Sequence, residues 1–188
     1  MNKLIVISYI TLDGVVEDPD GRGGTPYGGW AFRFGPEGIA GDKFRLGELL
    51  DTGALLFGRR TWEQFSRLWP ARAGDFPDAM NRARKVVLSH GSVDVSAWSG
   101  SEQRRGIDDL DGLGDLAVIG STSVVRALAS AGRIDEYRLI TFPVLLGQGA
   151  RLFDEPAELD LVSSEPVGST TYAVYAPAST PAARAASA

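Results

Sequence analysis

The stretch LLFGRRTWEQF, Leu55 to Phe65, decides how this chain is read. A short apolar run stops at Gly58, two arginines follow, and Thr61 opens a segment with Trp62, Phe65 and Leu68 on one side of a helix. A strand that ends in a glycine turn, with cations and a helix start beyond it, suits phosphate. Backbone N–H groups and the helix dipole point at the anion, and arginine adds planar, permanently charged donors. Gly58 would let the backbone approach closely or take a positive φ. An ordinary strand-to-helix turn with surface arginines fits the same letters, so the motif by itself leaves both readings open.

Working outward, Leu4 to Ile10 (LIVISYI) reads as a buried first strand that Asp13-Gly14 ends. Val15 to Gly29 is rich in glycine and proline and reads as a long functional loop. Asp42 to Leu50 has apolar residues at roughly helical spacing. Ala54 to Phe57 is a second strand, Thr61 to Leu68 a helix, Phe76 to Arg84 another helix, and Lys85 to Leu88 a third strand ending at Ser89-His90. Ser92 to Gly112 reads as an irregular or weak strand followed by a short helical turn. Leu116 to Ile119 is a strand closed by Gly120-Ser121-Thr122-Ser123, and a helical apolar face follows to Gly132. Tyr137 to Phe142 is a strand. Leu159 to Val167 and Thr170 to Tyr175 form a terminal hairpin around Gly168-Ser169. Residues 1–176 then make one domain, and PASTPAARAASA, from Pro177, is a low-complexity tail expected to be disordered.

Apolar runs alternating with helical patterns predict an α/β fold with a largely parallel sheet, whose ligands bind beyond the carboxyl ends of the strands. The ends at Asp13-Gly14, Gly58 to Thr61, Ser89-His90 and Gly120 to Ser123 would meet on one edge. Two of them combine glycine with a helix start, which suits a ligand with several phosphates. A dinucleotide is the natural candidate, yet no GxGxxG follows the first strand, so another fold must hold it.

Bulk properties narrow the classes. The chain has 188 residues, a net charge of -5, one histidine and no cysteine. Disulfides, thiolate chemistry and thiolate metal sites are excluded. A histidine triad and a multi-histidine metal site do not fit, and no metal site is expected. The acidic balance argues against nucleic acid, and no apolar run reaches membrane-spanning length. A cytoplasmic location is the expectation.

ITLDGVVE, LLFGRRTWEQF, KVVLSH, LAVIGSTSVVRAL and RIDEYRLITFPVLLGQGARLF occur in one order at plausible spacing. They resemble the dihydrofolate-reductase-like superfamily. The branch they are most similar to is the C-terminal reductase domain of the riboflavin-biosynthesis bifunctional deaminase–reductase, with its stand-alone bacterial relatives. The resemblance implies a three-layer α/β fold: a mixed, mostly parallel sheet of about eight strands, flanking helices and a C-terminal antiparallel hairpin. It implies an NADPH-dependent reductase that transfers hydride to a C=O or C=N of a small heterocycle, as 5-amino-6-(5-phosphoribosylamino)uracil reductase does. Reduction of another pterin-like or carbonyl compound, and a non-catalytic NADP-binding sensor, are the alternatives. A homodimer is the family expectation.

Carried over by motif, Gly58, Arg59, Arg60 and Thr61 would contact the pyrophosphate and the adenosine 2′-phosphate. Ser89 and His90 would lie near the adenosine phosphate, and Gly120, Ser121, Thr122 and Ser123 would hold the pyrophosphate. Asp13 and Gly14 would lie close to the nicotinamide or substrate, with Asp13 the candidate acid. Each has a plainer reading: Asp13 as a turn cap, His90 as a surface residue, and one of Arg59 and Arg60 as an ion-pair partner. Trp30 would cover a substrate ring or anchor the glycine loop. Asp42 would hold a substrate ring or occupy a solvated helix position. The Gly120-Ser121 bond matches a Gly-Gly pair with a cis peptide in true dihydrofolate reductases.

Overall fold

The apolar runs become the middle of a single eight-stranded sheet in the computed structural model, which describes residues 3–178. The strands are β1 (Leu4–Thr11), β2 (Ala54–Gly58), β3 (Arg84–Leu88), β4 (Ser101–Arg104), β5 (Leu116–Ile119), β6 (Glu136–Phe142), β7 (Leu159–Val167) and β8 (Thr170–Pro177). Their order is β4-β3-β2-β5-β1-β6-β8-β7. The first six are parallel, and β8 and β7 close the sheet antiparallel. This is the dihydrofolate-reductase-like architecture expected from the motifs. Pairing with β3 makes a real strand of Ser101–Arg104, in the segment expected to be weak or irregular.

Strands buried on both faces need apolar residues at successive positions, and Leu4, Ile5, Val6 and Ile7 are all buried. One face carries Ile5, Ile7, Leu55, Phe57 and Val87 against Trp62, Met80 and Trp98. The other carries Leu4, Val6, Leu56, Val86 and Val118 against Val125 and Leu128. Helices α2 (Arg59–Leu68) and α3 (Asp75–Arg82) therefore cover the first face, and α4 (Thr122–Ser130) the second. Phe57 is fully buried, so truncating it to Ala should cost about 3–5 kcal/mol.

Three expectations need correction. The helix expected over Asp42 to Leu50 shrinks to α1, Leu49–Thr52. Arg45 and Gly47 take φ values of 54 and 49, and the Asp42 carboxylate accepts the N–H groups of Leu46 and Gly47. That side chain offers the backbone a turn in place of a helix. Helix α2 begins at Arg59, two residues earlier than expected. Strand β8 runs through Pro177, and the Ala178 N–H donates to Glu158 O at 3.0 Å. The rest of the expected tail lies outside the described residues. Among the described residues, no helix is long and apolar enough to cross a membrane, and no group of acidic or histidine side chains is arranged to hold a metal.

Candidate cofactor site at the carboxyl edge

The topology itself makes a crevice. The connection after β1 leads to β2 with its core packing on one face, whereas α4 leads from β5 to β6 on the other face. Between two connections that part in this way, the ends of β5 and β1 stand open, and ligands of open α/β sheets bind at such switch points. The ends of β3, β2, β5 and β1 lie side by side on this edge, with Gly58 paired to Leu88 and Ile7 to Ile119.

Segments 58–61 and 120–123 are locked together across it. The Gly58 N–H donates to Ser121 Oγ at 2.7 Å, and the Ser121 hydroxyl donates to Thr61 Oγ1 at 2.8 Å. Gly58 has an ordinary φ of -79. Its need is closeness, because a Cβ there would lie 2.8 Å from Ser121 Oγ. Gly120 is left-handed, at φ 58, and a Cβ on it would press Thr61 Cγ2 at 3.1 Å. Ser121 is also left-handed, at φ 57, and the Gly120-Ser121 peptide is trans. That turn spends the Ser121 hydroxyl on Thr61 rather than on its own helix. Neither α2 nor α4 has a side-chain cap or an acidic residue in its first turn. Both helix starts therefore present unsatisfied N–H groups to the crevice, including those of Thr122 and Ser123.

The two arginines divide. Arg59 Nε pairs with Glu63 at 2.7 Å, and its guanidinium lies beside Gly91. Arg60 is exposed and makes no ion pair among the described residues. Beside Arg59, the loop after β3 is pinned from β4. Gln103 Nε2 donates to Ser89 O at 2.8 Å and to Gly91 O at 2.7 Å, and Gln103 Oε1 accepts from Val93 N–H. Arg105 Nη1 donates to His90 O at 2.7 Å, and Ser89 Oγ donates to Gly91 O. With those carbonyls occupied, the N–H groups of His90, Gly91 and Ser92 meet no protein acceptor among the described residues. Those N–H groups are donors the fold leaves over at this end of the sheet. Gln103 and Arg105 were not singled out in the sequence, because their role depends on β4 pairing with β3.

The β1 side of the crevice is closed differently. Asp13 accepts from the Thr11 hydroxyl at 2.5 Å and from the N–H groups of Gly147, at 2.7 Å, and Leu146. The Thr11 hydroxyl, then the Gly147 N–H, hold its carboxyl below the usual carboxylate range. An acid stabilised as the anion is a poor proton donor near neutral pH. Gly14 takes φ 84, and a Cβ there would meet nothing within 4 Å, so the space beside it is open. Trp30 does not lie over a substrate ring: it is fully buried, donates its indole N–H to Glu17 O at 2.8 Å and packs edge-on against Phe142. Asp42 spends its oxygens on the turn described above.

Residues 109–173 match the family model described as RibD C-terminal domain. A candidate riboflavin biosynthesis protein from Shewanella sp. PV-4 is similar in structure with a TM-score of 0.70 and 22% identity, over 94% of this chain and 99% of that one. RibD of Acinetobacter baumannii is similar with a TM-score of 0.64 and 16% identity, over 95% of this chain. The chain spans 58% of that protein's length. Comparison of the sequence with curated proteins finds no match. The resemblance carried by the motifs is thus borne out, by sequence over residues 109–173 and by fold over the sheet.

Proposed function

We propose that this protein is an NADPH-dependent reductase of small molecules, with residues 1–176 as its catalytic domain. The observation that carries the reading is the lock between Gly58, Thr61 and Ser121, which holds two uncapped helix starts side by side beside the unpaired Arg60. A pyrophosphate has two charged groups to be held at once, and two adjacent helix starts answer that need. The matched family and the neighbours' names point to the riboflavin pathway.

Gly58, Arg59, Arg60, Thr61 and Gly120 to Ser123 would cradle the pyrophosphate. Arg60, with the free N–H groups of residues 90–92 beside Ser89 and His90, would take the 2′-phosphate. That donor set selects NADPH over NADH, because charge-assisted bonds to phosphate are the strong class. A reduced nicotinamide held here would supply the hydride for a C=O or C=N, and Gly14, with open space beside it, would border that substrate. The chain's contribution is position and a fixed field. Asp13 acts as a clip between β1 and the loop after β6. A homodimer through β7, whose Leu161 and Val162 are exposed at the sheet edge, belongs to the same reading.

The test is to titrate the protein with NADPH, then to follow NADPH oxidation with pterin, flavin-precursor and carbonyl compounds. Tight binding with oxidation by one class supports the reductase. Binding without turnover on any of them favours a sensor, and absence of NADPH binding rejects both.

A further inference from the structure

Two lysines lie on the same face of the sheet, Lys85 fully buried and Lys43 half-buried, and the protein supplies acceptors to Lys85 alone. Lys85 Nζ donates to Asn81 O at 2.5 Å and Ser99 O at 2.9 Å, and lies 4.5 Å from the Trp98 ring centre. Lys43 Nζ stands among three rings, 5.0 Å from the centre of Phe76, 5.7 Å from Tyr9 and 5.9 Å from Phe44. It makes no hydrogen bond and no ion pair among the described residues. The neighbouring carboxylate, Asp42, has its oxygens on the N–H groups of Leu46 and Gly47.

An ammonium partly withdrawn from water into an aromatic corner gains from an acceptor placed beside it. Ring faces offset part of the cost of leaving water and satisfy none of its three N–H groups as an oxygen would. Arg72 adds a second cation from the α2–α3 connection, lying over the Trp69 ring and making no ion pair among the described residues. Tyr9, which packs under Lys43, stands on β1 two residues before Thr11 at the crevice. At about 3.3 Å per residue, that is within the span of one small molecule reaching down from the edge. An oxyanion is the partner this corner lacks.

We infer that Lys43, walled by Tyr9, Phe44 and Phe76 and flanked by Arg72, binds an anionic group, phosphate or carboxylate, of an aromatic or similarly flat substrate. The position of this site relative to the transferred hydride rests on the reductase reading. The anion site itself does not. Burial lowers the Lys43 pKa to about 8, opposed by Asp42 and reinforced by Arg72. The titratable and charged groups facing it are Asp42 beside it, Arg72 and Tyr9. The protonated form binds the anion, so affinity should fall as pH rises through about 8.

The sequence holds three lysines, so 13Cε-lysine NMR can follow each one. Phenyl phosphate and benzoate are the probes and benzyl alcohol the neutral control, each with and without saturating NADP+. The expected result is an upward shift of the Lys43 pKa with one or both anions, and no shift of Lys85. Lys43→Met should weaken the bound anion by about tenfold or more, and Lys43→Arg should restore most of it, as expected for a charge-assisted contact. Response to phenyl phosphate alone assigns a phosphate, and response to benzoate alone a carboxylate. If neither anion moves Lys43, or if benzyl alcohol moves it equally, the inference is overturned. The wild-type titration decides even if the variants fail to fold. A Lys43 response without NADP+ binding would keep this site and reject the cofactor reading.

Discussion

The two halves of the sheet's carboxyl edge are built on opposite principles. At the ends of β3, β2 and β5, donors are left over: two uncapped helix starts, the N–H groups of residues 90–92 and Arg60. At the ends of β1 and β6, the available groups are used up, with Asp13 taking the Thr11 hydroxyl and the N–H groups of Leu146 and Gly147. Both halves contain glycine turns and a charged residue. The difference teaches that a candidate site is marked by donors and acceptors the fold leaves unpaired, rather than by residue type.

The contrast can be broken at several points. The largest effect should come from Arg60→Ala, which removes the unpaired cation. NADPH affinity should drop by about 1.5–3 kcal/mol, the range for hydrogen bonds to charged groups, while NADH loses far less. Equal losses in calorimetric titrations would end the 2′-phosphate role. Arg59→Ala, which removes a helix-surface pair with Glu63, should cost about 0.5 kcal/mol of stability at most.

Ser121→Ala comes next, because it strands the Gly58 N–H and loosens the lock between the two helix starts. Denaturant unfolding should show a loss of about 1–3 kcal/mol, the cost of an unsatisfied buried donor, and NADPH binding should weaken with it. If binding survives unchanged, the lock does not organise the site.

Lys43 gives a pH signature. Its folded pKa of about 8 lies below the ordinary lysine value of 10.5, so between these pH values the unfolded chain holds more protons. Stability should therefore rise with pH across roughly 8 to 10. Lys43→Met should flatten that rise, leaving the part due to Lys85, which is also lowered to about 8 by burial. An unchanged slope would mean that Lys43 is hydrated. The smallest effect belongs to Asp13→Asn. The wild-type carboxylate contributes stability above its unfolded pKa and loses it as pH falls through the lowered folded value. The variant should show a shallower acid slope, with NADPH affinity changed by no more than about twofold.

Much of the fold was legible because its signals are local. Apolar runs such as LIVISYI and ALLF suit strands buried on both faces, as in a covered parallel sheet, and glycine marked the strand ends. The helix over 42–50 was misread because apolar spacing carries no warning that Asp42 will capture two N–H groups. Trp30 invited a ligand role that its burial against Phe142 removes. The division of labour between Arg59 and Arg60 turned on Glu63, four residues along the helix. The Gln103 and Arg105 contacts to the 89–91 loop, and the meeting of Lys43 with Tyr9 and Phe76, join residues far apart in sequence. Only β-pairing and packing reveal them.

In the proposed function, one reduced dinucleotide bridges residues 58–61 and 120–123, with its extra phosphate beside Arg60. Calorimetric titration of the wild-type protein with NADPH and with NADH tests it most directly. NADPH should bind at least about tenfold more tightly, as expected from the charge-assisted contacts its 2′-phosphate adds. Equal affinity for the two, or binding of neither, would contradict it.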